Sequence, residues 1–141
     1  MEEFQFYNEQ HENETIENYL SLSIINYGLS QHKGDVPQKL FCACKNAHEK
    51  ILGAVMGTKT LNLFFITHIY VEEIHRKKGI GGQLLIEIEK KAREFGCNLI
   101  RLNTFNNLSH SFYLKNGFNQ TVIIPNYMSG FDLVYYDKNI S

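Results

Sequence analysis

The run Arg76-Lys77-Lys78-Gly79-Ile80-Gly81-Gly82 joins an apolar, strand-like segment to a strongly amphipathic helix through a basic, glycine-rich turn. The first N–H groups of a helix have no intrahelical partner, and the helix dipole adds partial positive charge there. Such a turn therefore predicts a cradle for a phosphate or diphosphate. The missing Cβ atoms at Gly79, Gly81 and Gly82 predict close approach of a ligand to the main chain, and positive φ where the turn needs it. Two other phosphate motifs do not fit. A nucleotide-hydrolase loop needs Gly, four residues, then Gly-Lys-Ser/Thr, which nothing after Gly79 supplies. A dinucleotide fingerprint needs a small residue three positions past its second glycine, where Leu84 stands. The bland alternative is a plain strand-to-helix turn punctuated by glycine.

Outward from this turn, Leu61 to Val71 is rich in aromatic and β-branched residues and predicts a long central strand. After it, Gly79 to Phe95 predicts a helix with Leu84, Leu85, Ile88, Ala92 and Phe95 on one face. Glu87 with Lys91 and Glu89 with Arg93 form i, i+4 pairs on the other, and Gly96 is the stop. Cys97 to Thr104 then reads as a strand, Asn107 to Asn116 as a short helix stopped by Gly117, and Phe118 to Ile124 and Phe131 to Tyr136 as two further strands. A strand, a helix and a strand in succession imply a parallel pair with a right-handed crossover. Upstream, residues 4 to 7 read as a short strand, Glu14 to Tyr27 as a helix with Asn13 as N-cap, and Gly28 to Pro37 as a loop. Lys39 to Lys45 and Ile51 to Thr58 form a hairpin through Asn46 to Lys50.

A chain of 141 residues with 43% hydrophobic residues suits one domain, residues 1–141, with one core. The net charge of −1 and the local nature of the basic clusters argue against nucleic acid as a partner. No stretch is apolar for long enough to span a bilayer, so no membrane partner is expected. Cys42, Cys44 and Cys97 form no paired framework and no apolar leader precedes them, which points to a reducing cytoplasm. The Cys42 and Cys44 spacing is poor for zinc; on a strand both face one side and read as small buried hydrophobes, so no metal is expected.

A second signal follows about thirty residues downstream of the turn: Asn106-Asn107-Leu108-Ser109-His110-Ser111-Phe112-Tyr113-Leu114-Lys115-Asn116-Gly117-Phe118. Arg-x-x-Gly-x-Gly opening a helix, a strand ending near Asn103 and Thr104, then Asn-x-x-Ser-x-x-x-Tyr-x-x-x-Gly-Phe, together resemble the GNAT superfamily of N-acetyltransferases, which bind acetyl-coenzyme A. The resemblance covers residues 50 to 125 well and the ends loosely. It implies an α/β fold: a mixed, mostly antiparallel sheet with a central splayed parallel strand pair, flanked by helices. It also implies that acetyl-coenzyme A, as co-substrate, rests its diphosphate on the amides from Lys77 through Lys78, Gly79, Ile80, Gly81 and Gly82 to Gln83. Arg76 would be the signature basic residue. The peptide-like pantetheine arm would pair with Ile69, Tyr70 and Val71 as an added strand does. Asn103 would end the partner strand, and Asn106 would either hold the arm or cap the following helix.

The same resemblance places Tyr113 beside the cofactor sulfur as the catalytic acid. A phenol of pKa about 10 can protonate a departing thiolate whose thiol sits near about 8.5, once the site shifts these values. For the base, many members of the family carry a carboxylate near the position of Thr67, which is not acidic. His68 is close and histidine titrates in a useful range, although alternation along the strand favours a core histidine over a base. Glu72 and Glu73 are alternatives; His75 and His110 read as peripheral. The function implied is transfer of an acetyl group onto a primary amine, of a small molecule or a peptide, by direct attack. The alternative is a catalytically inactive module that binds or senses acyl-coenzyme A. Acceptor choice is expected to lie with residues 28–38 and 125–130, and the aromatic C-terminal strands suit a homodimer contact.

Overall fold

The computed structural model describes residues 3–8, 10–31, 35–106 and 108–141. Two compact units divide the chain, Met1–Val36 and Pro37–Ser141. In the first, helix α1 spans Glu14–Gln31 and starts where expected: Asn13 Oδ1 accepts a hydrogen bond from the Ile16 N–H at 3.1 Å. It continues through Gly28, which is tolerated in a helix at a modest cost, instead of ending at Tyr27. Residues 32–34 of the expected loop lie outside the described residues. Residues 4–7 are not a strand. They join no ladder, and Phe4, Phe6 and Tyr7 are exposed; without a neighbour to pair its backbone, so short a segment has no reason to form a strand.

The second unit is built on a six-stranded sheet. Its strands are β1 (Gln38–Lys45), β2 (Ile51–Thr60), β3 (Leu63–Val71), β4 (Leu99–Phe105), β5 (Asn119–Met128) and β6 (Phe131–Asn139), in the spatial order β1-β2-β3-β4-β6-β5. Every neighbouring pair is antiparallel except β3 and β4, which are parallel and are joined through helix α2 (Ile80–Glu94). Helix α3 (His110–Lys115) follows β4. Both helices of this unit stop at the glycines expected to stop them. Cys97 N–H bonds Ala92 O and Gly96 N–H bonds Arg93 O; Phe118 and Gly117 repeat the pattern onto Tyr113 O and Leu114 O. The residue after each glycine, Cys97 or Phe118, is buried, so each helix end is locked into the core.

β5 and β6 run further than their composition suggests. Pro125 is harmless on an edge strand, and Ser129 and Gly130, at φ 47° and 84°, make a two-residue hairpin turn between Met128 and Phe131. The cysteines of β1 behave as small hydrophobes: Cys42 and Cys44 are partly buried and pack against the core. Burial first, then the Glu87 carboxylate and Cys44, pushes the Cys42 thiol up from its ordinary value.

The charge pattern of α2 differs from the expected one. Glu87 pairs with Lys90 instead of Lys91, and Lys91 pairs with Glu94. Glu89 does meet Arg93, but it is only 8% exposed, and its other carboxylate oxygen accepts a 2.6 Å bond from Lys138 of β6. A carboxylate held between two cations thus pins α2 to the far strand. Replacing it by Glu89→Gln leaves Lys138 without its counter-charge, and a loss of about 2 kcal/mol is expected, below the ~3–5 kcal/mol of fully buried pairs because both cations keep some solvent. A urea unfolding midpoint equal to that of the unsubstituted protein would contradict this account.

Candidate active site

β3 and β4 pair for a short distance and then part. Their ladder consists of Leu63 with Leu99, Phe64 with Ile100 and Phe65 with Arg101, while β3 continues to Val71 and β4 to Phe105. On its other side β3 stays bonded to β2, and β4 stays bonded to β6 as far as Phe105. From Ile66 onward, then, the facing edges of the two parallel strands offer backbone groups that no strand satisfies. A cleft of about 390 Å³ opens there, lined by Ile66 to Tyr70, by Leu102, Asn103 and Thr104, and by Tyr113.

A bulge at the same level sets which side chains enter the cleft. Met56 of β2 faces His68 and Gly57 faces Ile66, so Thr67 is an extra residue, and its hydroxyl donates to Met56 O at 3.3 Å. Before the bulge, Phe64 and Ile66 are buried in the core; after it, Ile69 and Val71 are the residues that pack there. One inserted residue has exchanged the two faces. His68 therefore points away from the core and is exposed, instead of being an internal histidine.

β3 ends in a short 3-10 turn, Glu73–His75, and the glycine run that starts α2. Gly79 has φ 84° and a Cβ there would meet nothing, so its role is conformational. The first bond into the helix runs from Gln83 N–H to Gly79 O; among the described residues the amides of Ile80, Gly81 and Gly82 have no partner. Gly81 and Gly82 also have a packing role. A Cβ at Gly81 would stand 3.1 Å from the Phe112 ring, and one at Gly82 would stand 3.2 Å from Asn116 Oδ1. These glycines let α3 pack directly on the first turn of α2. Arg76 is partly committed: its Nε donates to Val71 O at 2.9 Å and its guanidinium lies over the Tyr70 ring.

Tyr113 sits on α3 with its ring among aromatics. Phe112 and Tyr136 lie at 5.3 Å and Phe118 at 5.9 Å, centroid to centroid. The residue is 7% exposed, yet its hydroxyl makes no hydrogen bond to the described residues and is not sealed in the interior, so it opens onto the cleft. Asn106 is held in place: its N–H donates to Asp132 O, and its Oδ1 accepts from Asp132 N–H at 2.7 Å. It does not cap α3, which Ser109 precedes with φ 62° and without a side-chain cap. Asn107 lies outside the described residues.

The Acetyltransferase (GNAT) family model matches residues 2–118. The chain belongs to this family. Among curated proteins, the uncharacterized N-acetyltransferase YvbK of Bacillus subtilis (strain 168) is 35% identical over 77 residues, 53% of this chain and 47% of that protein. The chain thus spans about half the length of the curated relative it matches. An acetyltransferase from Bacillus cereus ATCC 14579 is 28% identical, with 94% of this chain and 97% of that one aligned at a TM-score of 0.77. An aminoglycoside 6′-N-acetyltransferase complexed with coenzyme A, 17% identical over 92% of this chain and 93% of its own, has the same fold at a TM-score of 0.68.

For this GNAT chain, the structure brings one part of the expected set together. Ile69, Tyr70, His68, Asn103 and Tyr113 line one cleft. Glu72, whose N–H bonds Leu52 O, and Glu73 and His75 in the 3-10 turn lie beyond it, toward the glycine turn. Among the described residues, no cluster of three or more metal-ligating side chains is present, and no helix is long and apolar enough to cross a membrane. Burial, then nearby Tyr136, pushes the Tyr113 phenol up from its ordinary value, and burial does the same to Tyr136. Raised phenols favour the fold fully below the ordinary value of about 10, and that contribution is lost as pH climbs through the higher folded values. Urea midpoints are therefore expected to fall steeply from about pH 10 upward, and less so in Tyr113→Phe. An identical fall in that variant would contradict a raised Tyr113.

Proposed function

We propose that residues 1–141 work as one acetyltransferase domain that moves the acetyl group of acetyl-coenzyme A onto a primary amine by direct attack. The observation that carries this reading is the conjunction of free amides at the first turn of α2 with a splayed strand pair that has a tyrosine hydroxyl at its mouth. The match across residues 2–118 spans both units and supports treating them together.

The residues fit the co-substrate. The amides of Ile80, Gly81 and Gly82 would take the diphosphate, with Arg76, Lys77, Lys78, Gly79 and Gln83 around it. The open edge of β3 at Ile69, Tyr70 and Val71 would pair with the pantetheine arm, and Asn103 would face it from β4. Asn106 would contribute through its Nδ2, since its Oδ1 is taken by Asp132. Acetyl-coenzyme A supplies an activated acyl thioester. Tyr113 would donate its proton to the sulfur as the C–S bond breaks. His68, exposed at the cleft, would accept the proton that the amine nitrogen loses as the C–N bond forms, directly or through water. Exchange with solvent then resets both residues.

A second reading has one observation in its favour: the bulge position carries Thr67, whose hydroxyl is used on Met56 O, so no carboxylate stands there as base. In that reading the chain binds acyl-coenzyme A without turnover. A cytoplasmic setting and a homodimer meeting along the uncharged edge strand β5 complete the proposal.

The experiment is calorimetric titration with acetyl-coenzyme A beside thiol release with spermidine, kanamycin, tyramine and a lysine peptide. Binding and turnover with at least one amine are expected. Tyr113→Phe is expected to lower kcat by about 100-fold while binding stays within about twofold. Binding without thiol release from any amine would favour the second reading; no binding would overturn both.

A further inference from the structure

We infer that His110 is a positioning residue, which acts through Tyr136 to fix the angle at which Tyr113 presents its hydroxyl to the cleft. This rests on the reading of Tyr113 as the acid. Six residues, His110–Lys115, make fewer than two turns, far too few for a helix to hold its own shape in water. The approach to it is also unfavourable: Asn106 and Ser109 have φ 50° and 62°, and Ser109 makes no side-chain cap. What orients α3 must therefore come from outside it.

At its C-terminal end the ties are the glycine lock onto Phe118 and the Asn116 amide, which donates to Phe112 O. At its N-terminal end the polar tie that α3 itself supplies is His110, whose Nδ1 lies 2.8 Å from Tyr136 Oη. Tyr136 is a good anchor. It is wholly buried, its backbone is paired with Leu102 on one side and Gln120 on the other, and its ring contacts both His110, at 5.8 Å, and Tyr113, at 5.3 Å. His110 and Tyr113 are three residues apart, so both project from one face of the helix. Pinning His110 to β6 sets the rotation of that face, and with it the direction of the Tyr113 phenol.

The Tyr113 hydroxyl has no partner of its own among the described residues, so nothing at its tip corrects a rotation of the helix. Small misplacements are costly where a proton must be delivered in line, on the order of 100-fold for about 1 Å. A sequence reading has no means of finding this role, because Tyr136 lies 26 positions from His110 and the pairing exists only in the fold.

The test uses the full chain, acetyl-coenzyme A and whichever amine of the panel above turns over fastest. His110→Leu and Tyr136→Phe are each expected to lower kcat by about tenfold with KM for acetyl-coenzyme A unchanged, since the first turn of α2 is untouched. The double variant is expected to be no slower than either single one, because both remove the same bond. His110→Asn, which keeps a polar atom near the place of Nδ1, should recover most of the rate. A readout that needs no acceptor is 13Cζ NMR of labelled tyrosine: the Tyr113 line, assigned with Tyr113→Phe, should be single in the unsubstituted protein and split or broadened in His110→Leu. Additive losses in the double variant, or an unmoved Tyr113 line with kcat within about twofold in a folded His110→Leu, would overturn the inference. Full turnover in Tyr113→Phe would instead remove the reading on which it rests.

Discussion

The parting of β3 and β4 after three residue pairs is the constraint on which the rest of the second unit depends. A parallel pair inside a sheet would ordinarily stay bonded along its length, because backbone groups without partners are costly away from water. Here each strand is held by its outer neighbour, β2 or β6, and the edges between them are left to solvent or to a ligand that brings its own amides. The opening begins at the level of the Thr67 bulge, which turns His68 toward it and keeps Ile69 and Val71 on the core. The end of the same strand delivers the chain to α2. Strand edge, cleft and free helix amides are therefore consequences of one geometric event.

The two helices on the core side convert that opening into a site. α2 contributes its unbonded first turn, and its apolar face, with Leu84, Leu85, Ile88 and Ala92, belongs to the core shared by β1, β2 and β3. Glu89, between Arg93 and Lys138, adds a tie from α2 to β6. α3 rests on α2 through Phe112 at Gly81 and through Asn116 at Gly82. The segment that carries Tyr113 is thereby in direct contact with the first turn of α2.

Much of this was legible in the letters, and the reasons for the remainder are physical. Helix stops at Gly96 and Gly117, the N-cap at Asn13 and the parallel pair around α2 are local or periodic signals, and each stands where expected. The glycine run forms the turn into α2, and the room that Gly81 and Gly82 make for α3 is a tertiary contact with no local signature. His68 could not be assigned to a face from alternation alone, since one bulge reverses the count. Glu89 looked like a surface pair because Lys138 is 49 residues away. His110 reads as peripheral for the same reason, and the choice for Asn106 between holding the arm and capping α3 could not include Asp132, which follows it by 26 positions.

The most direct test of the account is the backbone 15N–1H spectrum recorded while acetyl-coenzyme A is added. The amide signals of Ile80, Gly81 and Gly82 should move downfield together and saturably, as unpartnered donors do when they acquire a charged acceptor. If those three signals stay in place while the nucleotide binds elsewhere on the chain, the cradle is not at the start of α2 and the functional account fails.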